Sequence, residues 1–251
     1  MAINKGGVMI LAILQARLSS TRLPGKVLMD LHGEPMILRQ IERIRQSTRI
    51  DALVVATSVD PRDDELANVL QHAGITFRRG PLDDVVERFR LVAEEWEPDA
   101  IVRLTADCPL TDPEVIDAVI DDHLAKRADY SSNTLHPTFP DGLDVECFDA
   151  RAFLRLCELP LSEMEREHVT MGMYSRPDEF TLNSYEQKPD LSHLRWTVDV
   201  PDDLTFARLV YSLLYDQKPA FRQRDVLELV TNNPVLSRTD SEVARNSGLS
   251  K

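Results

Sequence analysis

Val8-Met9-Ile10-Leu11-Ala12-Ile13-Leu14-Gln15-Ala16-Arg17-Leu18-Ser19-Ser20-Thr21-Arg22-Leu23-Pro24-Gly25-Lys26 decides how this chain is read. An apolar run of strand length, residues 8–14, empties into small and hydroxylated residues with three cations spaced among them. Backbone N–H groups in such a loop can turn inward as an anion nest, while Arg17, Arg22 and Lys26 neutralise charge that amides cannot. A polyanion such as a nucleoside triphosphate is the guest this composition suits. The loop is neither of the common glycine-rich phosphate motifs. Gly25-Lys26 is followed by Val27 rather than Ser or Thr, and no G-x-G-x-x-G is present. The competing reading is a surface loop whose cations are merely solvated. Its position directly after a buried strand favours the phosphate site, because open α/β sheets bind ligands there.

Composition narrows the field. The 251 residues suffice for one sizeable α/β domain, with or without a small accessory lobe. A formal charge of −13 argues against nucleic acid or an anionic membrane as the main partner. No apolar run approaches the ~20 residues of a membrane helix. Lys5 ahead of residues 8–14 imitates a signal peptide, but the run is short and no small-residue cleavage site precedes Arg17. Cys108, Cys147 and Cys157 make an odd count without C-x-x-C spacing, as in a reduced cytoplasmic protein lacking a zinc site.

Strands read near 8–14, 52–57, 75–78 and 100–105, with helical spacing at 35–46, 63–72 and 83–95 between them. That alternation predicts a mixed, mostly parallel sheet flanked by helices. Asp112-Pro113 reads as an N-cap and first helical position, opening a helix to Leu124. Beyond it, Asp141-Gly142 is a turn, residues 143–148 a strand, and 151–156 and 163–174 helices. Residues 180–185 and 195–198 read as strands, a helix follows from Pro201, and the polar end from Ser237 reads as frayed.

Asp107 follows the strand at 101–104, and Asp199 follows apolar Trp196 and Val198, so both carboxylates stand at the carboxyl ends of predicted strands. Magnesium usually takes only one or two carboxylates, with phosphate and water completing its octahedron. Two aspartates fit that demand, although Asp199 ahead of Pro201 also reads as a helix cap. Asp202 and Asp203 read as first-turn acids favouring the helix dipole.

The string Q-A-R-L-S-S-T-R-L-P-G-K resembles the signature loop of the sugar cytidylyltransferases that activate 3-deoxy-2-keto acids. Within that group it is similar to the spore-coat polysaccharide biosynthesis cytidylyltransferases. Arg103-Leu104-Thr105-Ala106-Asp107-Cys108-Pro109-Leu110 and Arg195-Trp196-Thr197-Val198-Asp199 resemble the two later family motifs, in the same order. The resemblance implies a Rossmann-like, glycosyltransferase-A-type nucleotidyltransferase: one domain over 1–251 with a protruding acceptor and dimerisation segment at about 135–190. It implies transfer of CMP from CTP to a sugar or sugar-acid acceptor, Mg²⁺ held by Asp107 and Asp199, and a cytoplasmic homodimer. Arg17 and Lys26 would stabilise charge on the triphosphate, with Arg22 further out. Leu14, Gln15, Ala16, Arg17, Ser19, Arg22, Lys26, Thr57, Ser58, Arg79 and Asp107 would surround the nucleotide. Arg79 could equally be a solvated cation closing a strand.

Segments around Asp141, Gly142, Asp144 and Glu146, and around Arg166, Glu167 and His168, resemble those near the acceptor. The second of these also reads as the polar face of a helix. Residues 79–85 depart from the keto-acid versions and match the spore-coat group, so the resemblance leaves the acceptor sugar open. The rival readings are another nucleotide, a phosphorylated or phosphonate acceptor, a non-catalytic nucleotide binder, and a glycosyltransferase. The last would carry a D-x-D motif, and Asp107-Cys108-Pro109 is not one.

Overall fold

The computed structural model describes residues 7–239. The opening apolar run becomes β1 (Ile10–Gln15). Ile10, Ala12 and Leu14 belong to one core cluster, whereas Leu11 and Ile13 belong to the other. Burial on both faces is why this strand reads as a continuous apolar run rather than an alternation.

A short ribbon, β2 (Asp30–Leu31) and β3 (Glu34–Pro35), leads into α1 (Met36–Ile44) and β4 (Ala52–Ser58). Next come α2 (Asp64–His72), β5 (Phe77–Gly80), α3 (Val85–Trp96), β6 (Ala100–Thr105) and α4 (Pro113–Lys126). The second half adds β7 (Tyr130–Ser132), β8 (Glu146–Asp149), α5 (Ala150–Cys157), α6 (Glu163–Glu167), α7 (Met171–Tyr174) and β9 (Leu182–Ser184). Helices α8 (Pro201–Leu214) and α9 (Gln223–Asn232) follow.

The main sheet runs β5-β4-β1-β6-β8-β7-β9. Strands β5, β4, β1 and β6 are parallel, β8 is antiparallel to β6 and β7, and β9 is parallel to β7. The chain winds outward from β1 to β4 and β5, then returns to lay β6 on the other side of β1. Strand order therefore reverses between β1 and β6, and a crevice opens at their carboxyl ends. Helices α1, α4 and α8 cover one face of the sheet, and α3 and α5 cover the other.

Several local expectations are corrected. The strand placed at 75–78 lies at Phe77–Gly80. The strand placed at 143–148 is shorter and later, Glu146–Asp149, because the Leu143 N–H turns back to the Pro140 carbonyl and the Val145 N–H goes to the Asn133 side chain. The single helix at 163–174 is two, broken where Val169 adopts a left-handed φ of 42°. Residues 195–198 form no strand; Arg195 makes an isolated parallel bridge to Asp141. Residues 135–190 supply β8 and β9 to the main sheet and also α5, whose Phe153 and Leu156 are fully buried. Within the stretch expected to fray from Ser237, the Arg195 N–H donates to the Arg238 carbonyl at 3.0 Å, and Leu194 bridges Thr239. The rest of the predicted polar tail, and Lys5, lie outside the described residues.

Candidate active site

The loop after β1 is shaped from both ends. At its start the Leu18 N–H donates to the buried Asp63 carboxylate at 2.7 Å, and Asp63 also accepts the Ser58 hydroxyl at the end of β4. At its finish Gly25 adopts φ 72°, a left-handed conformation cheap only for glycine, and its N–H closes the loop onto the Leu18 carbonyl at 3.0 Å. Among the described residues, the N–H groups of Ser19, Ser20 and Thr21 have no hydrogen-bond partner. The loop thus carries open donors over the crevice, as a nest requires.

Gly25 delivers Lys26 into the centre of the site. Its ammonium donates to Asp107 Oδ2 at 3.2 Å, to Asp199 Oδ1 at 3.0 Å and to the Val198 carbonyl at 2.7 Å. Arg22 Nη2 reaches Asp199 Oδ1 at 3.1 Å, and Arg195 Nη2 reaches Asp199 Oδ2 at 3.0 Å. Burial works against the Lys26 charge, but Asp107 and Asp199 outweigh it and raise its pKa. Burial likewise raises the Asp107 pKa, yet the Lys26 charge and hydrogen bonds from Thr105, Lys26 and Cys108 bring it down to about 2. The two carboxylates thus converge on one cation, here a lysine. That convergence suits a divalent ion with oxygen preference, and among the described residues no third acidic or histidine ligand joins them. A magnesium ion there would complete its shell with phosphate and water.

The cleft around this cluster has a volume of about 1230 Å³. Gln15, Ala16, Thr105, Ala106 and Asp107 form its floor at the reversal point, and the loop forms one wall. The facing wall comes from Asp83 and Asp84 ahead of α3 and from α6 with His168. Two ion pairs bear on this wall. Arg17 meets Glu167 at 3.1 Å across the cleft, and Arg166 meets Asp84 at 2.8 Å within the wall. His168 is held below its ordinary pKa, first by burial and then by the charges of Arg103 and Arg17, although Glu167 pulls the other way. It therefore enters the cleft as a neutral hydrogen-bonding ring near pH 7.

Of the residues predicted from sequence, Gln15, Ala16, Arg17, Ser19, Arg22, Lys26, Asp107, Asp199, Arg166, Glu167 and His168 line this one cleft. Others do not. Leu14, Thr57 and Ser58 are fully buried. Arg79 spends its donors on the Ser58 carbonyl at 2.6 Å, the Asp60 carbonyl at 3.1 Å and Asp64 at 2.7 Å, tying β5 to the end of β4. Asp141 is paired with buried Arg195 at 3.0 Å. Gly142, at φ 107°, lies so close to residues 196 and 197 that a Cβ would sit 2.4 Å from the Thr197 nitrogen. Glu146 is held by Arg103 at 2.9 Å and by the Thr170 hydroxyl at 2.9 Å, and neither it nor Asp144 lines the cleft. Asp199 does not cap α8, whose N-cap is Val200. Asp203 is more than a dipole acid: it is buried, accepts the Asp199 and Val200 N–H groups, and pairs with Arg195 and Arg238. Arg22, expected further out, touches Asp199.

Sequence reasoning missed Asp63, Arg103 and Arg195. Asp63 reads as an ordinary acid at the start of a helix, and its hold on the loop spans 45 positions. Arg103 bonds the Gln15 side-chain oxygen at 3.1 Å and so orients a cleft residue from the neighbouring strand. A cation inside each later motif was the available signal for Arg103 and Arg195.

A cationic loop over the reversal point of a mostly parallel sheet, facing two carboxylates, places this chain among proteins with the nucleotidyltransferase fold. Residues 11–233 match the family described as Cytidylyltransferase, and the chain belongs to that family. It is 32% identical to the spore coat polysaccharide biosynthesis protein SpsF of Bacillus subtilis (strain 168), over 90% of this chain and 95% of that protein. It is also 37% identical to a 3-deoxy-manno-octulosonate cytidylyltransferase of Anaeromyxobacter sp. (strain K), over 44% of this chain and 46% of that protein. Among solved structures, a cytidylyltransferase from Leptospira borgpetersenii superposes with a TM-score of 0.86 at 28% identity, over 92% of this chain and 97% of that one. CMP:2-keto-3-deoxy-manno-octonic acid synthetase complexed with CTP shares the fold, with a TM-score of 0.63 at 18% identity over 82% of this chain and 99% of that one.

Proposed function

We propose that this protein transfers the cytidylyl group of CTP to a hydroxyl of a sugar or sugar-acid acceptor, for surface polysaccharide or glycoconjugate synthesis. The acceptor oxygen forms a bond to the α-phosphorus, the bond from that phosphorus to the bridging oxygen breaks, and pyrophosphate leaves while the acceptor loses its proton. The observation that carries this reading is the convergence of the open loop N–H groups, Arg17, Arg22 and Lys26 with Asp107 and Asp199 at one cleft. Such a site supplies position and charge stabilisation, which is most of what phosphoryl chemistry asks of a protein. Asp107 and Asp199 would hold Mg²⁺, which when bound neutralises phosphate charge and helps align nucleophile and leaving group. Arg17 offers a planar fork that two phosphate oxygens can share once it leaves Glu167. His168 and the Arg166–Asp84 pair would meet acceptor hydroxyls from the opposite wall.

The reading extends to a cytoplasmic homodimer. Among the described residues no helix is long and apolar enough to cross a membrane, and the cysteines are unpaired. The test is pyrophosphate release from CTP with magnesium against a panel of keto-sugar acids, sugar phosphates and phosphonates. Release with one sugar or sugar acid supports the reading. Release only with a phosphate or phosphonate reassigns the acceptor, and nucleotide binding without release across the panel overturns the enzymatic reading.

A further inference from the structure

We infer that Arg195 is a positioning residue that sets which way the Asp199 carboxylate points, an inference that rests on Asp199 being a metal ligand. Arg195 is 1% exposed, and its guanidinium spans three carboxylates. Nη1 meets Asp141 Oδ2 at 3.0 Å, Nε and Nη2 meet Asp203 at 3.2 and 3.1 Å, and Nη2 meets Asp199 Oδ2 at 3.0 Å. Two of these carboxylates are buried beneath the cleft, and the third stands at its edge. Asp203 in turn accepts the backbone N–H of Asp199 at 2.9 Å. Asp199 is therefore held at its backbone by Asp203 and at one side-chain oxygen by Arg195.

The consequence concerns the other oxygen. With Oδ2 engaged, Oδ1 is turned toward the point where Lys26 Nζ and Asp107 Oδ2 meet. Without Arg195, the carboxylate is free to rotate and to give both oxygens to Lys26 and to Arg22, which already touches it at 3.1 Å. A fork donor suits this task where a point charge does not, because one planar group must satisfy several oxygens in fixed directions. Partners that orient metal ligands commonly contribute 10- to 100-fold in metal affinity when removed. Among the described residues no arginine holds Asp107 in this way, so the orienting device belongs to one aspartate of the pair.

The experiment titrates Mn²⁺ into the full-length protein with CTP and no acceptor, reading free Mn²⁺ by electron paramagnetic resonance and recording Tm alongside. Arg195→Gln is expected to raise the Mn²⁺ Kd about 10-fold or more, and Arg195→Lys to recover part of it. If Arg195→Gln fails to fold, Arg195→Lys keeps a charge among the three carboxylates and is read instead, with a several-fold rise expected. Asp141→Asn is the comparison for a merely structural contact, with a lower Tm and a Mn²⁺ Kd within about threefold of the parent. Lowered Tm with unmoved Mn²⁺ affinity in the Arg195 variants overturns the inference. Asp199→Asn separates the two levels of argument. If it weakens Mn²⁺ binding while the Arg195 variants do not, positioning alone fails; if it leaves Mn²⁺ binding unchanged, the metal reading falls and the inference with it.

Discussion

Lys26 has one acceptor for each of its three N–H bonds: Asp107, Asp199 and the Val198 carbonyl. This ammonium therefore neutralises the two carboxylates at the centre of the cleft. Lys26→Met is expected to lower kcat and kcat/KM for CTP together, by about 100-fold if it acts on charge developing in the transition state. A rise in KM alone would assign it to uniform binding. The same contact predicts an acid dependence. Asp107 sits at about 2 in the fold against 3.8 for a free aspartate, so its contribution is complete above about pH 4 and is lost as pH falls toward 2. In Lys26→Met the charge that holds Asp107 down is gone. The drop in urea midpoint between pH 5 and pH 3 should therefore be smaller than in the parent. An equal drop in both proteins would show that Lys26 does not govern the Asp107 titration.

At the scale of elements, two glycines make contrasting predictions. Gly25 turns at φ 72° with open space around it, so Gly25→Ala meets only the backbone penalty of about 1–2 kcal/mol. Gly142 combines φ 107° with a Cβ position 2.4 Å from the Thr197 nitrogen and 2.6 Å from the Trp196 carbonyl carbon. Gly142→Ala should cost about 3 kcal/mol or more, adding overpacking to backbone strain. It should also reduce turnover, because Thr197 and Val198 bond the Asp107 carbonyl at 3.2 and 2.8 Å. Denaturant titration beside initial rates checks both variants, and equal losses would mean that the 142–197 contact relaxes freely.

The parallel half of the sheet was legible from β1, β4 and β6 because buried parallel strands are written as short apolar runs between helical spacings. Asp107 and the loop were legible for the same reason, since each stands where such a run stops. Strand β7 was not, because Tyr130-Ser131-Ser132 carries two serine hydroxyls whose burial is made tolerable by His123 and the Val145 carbonyl on neighbouring elements. The break between α6 and α7 was hidden too, since nothing in a β-branched Val169 announces a left-handed φ. Asp63 acts on the loop across 45 positions, which no local pattern encodes, and Arg195, although only four residues from Asp199, owes its burial to Asp141, 54 positions away.

For the whole molecule, the nucleotide is the sharpest discriminator. Ligand binding stabilises a fold by RT ln(1 + [L]/Kd), about 2.7 kcal/mol at 100 Kd. In a chain of this size that corresponds to a rise of roughly 5–10 °C in Tm. With magnesium present, CTP should raise Tm more than ATP, GTP or UTP at equal concentration, and an equal or larger rise with another nucleotide would reassign the donor.

The bond from the Arg195 N–H to the Arg238 carbonyl, with Arg238 Nη2 on Asp203 at 3.1 Å, also bears on where this protein can be cut or fused. Residues 237–239 lie outside every helix and main-sheet strand, where a trimming scheme based on secondary structure would cut first. They are laced to the arginine beneath Asp199. Ending the chain after Leu236 should therefore lower both Tm and turnover relative to ending it after Thr239, although the two proteins differ by only three residues. A fusion partner joined directly after Leu236 would carry the same penalty, and one joined after Thr239 would spare these contacts.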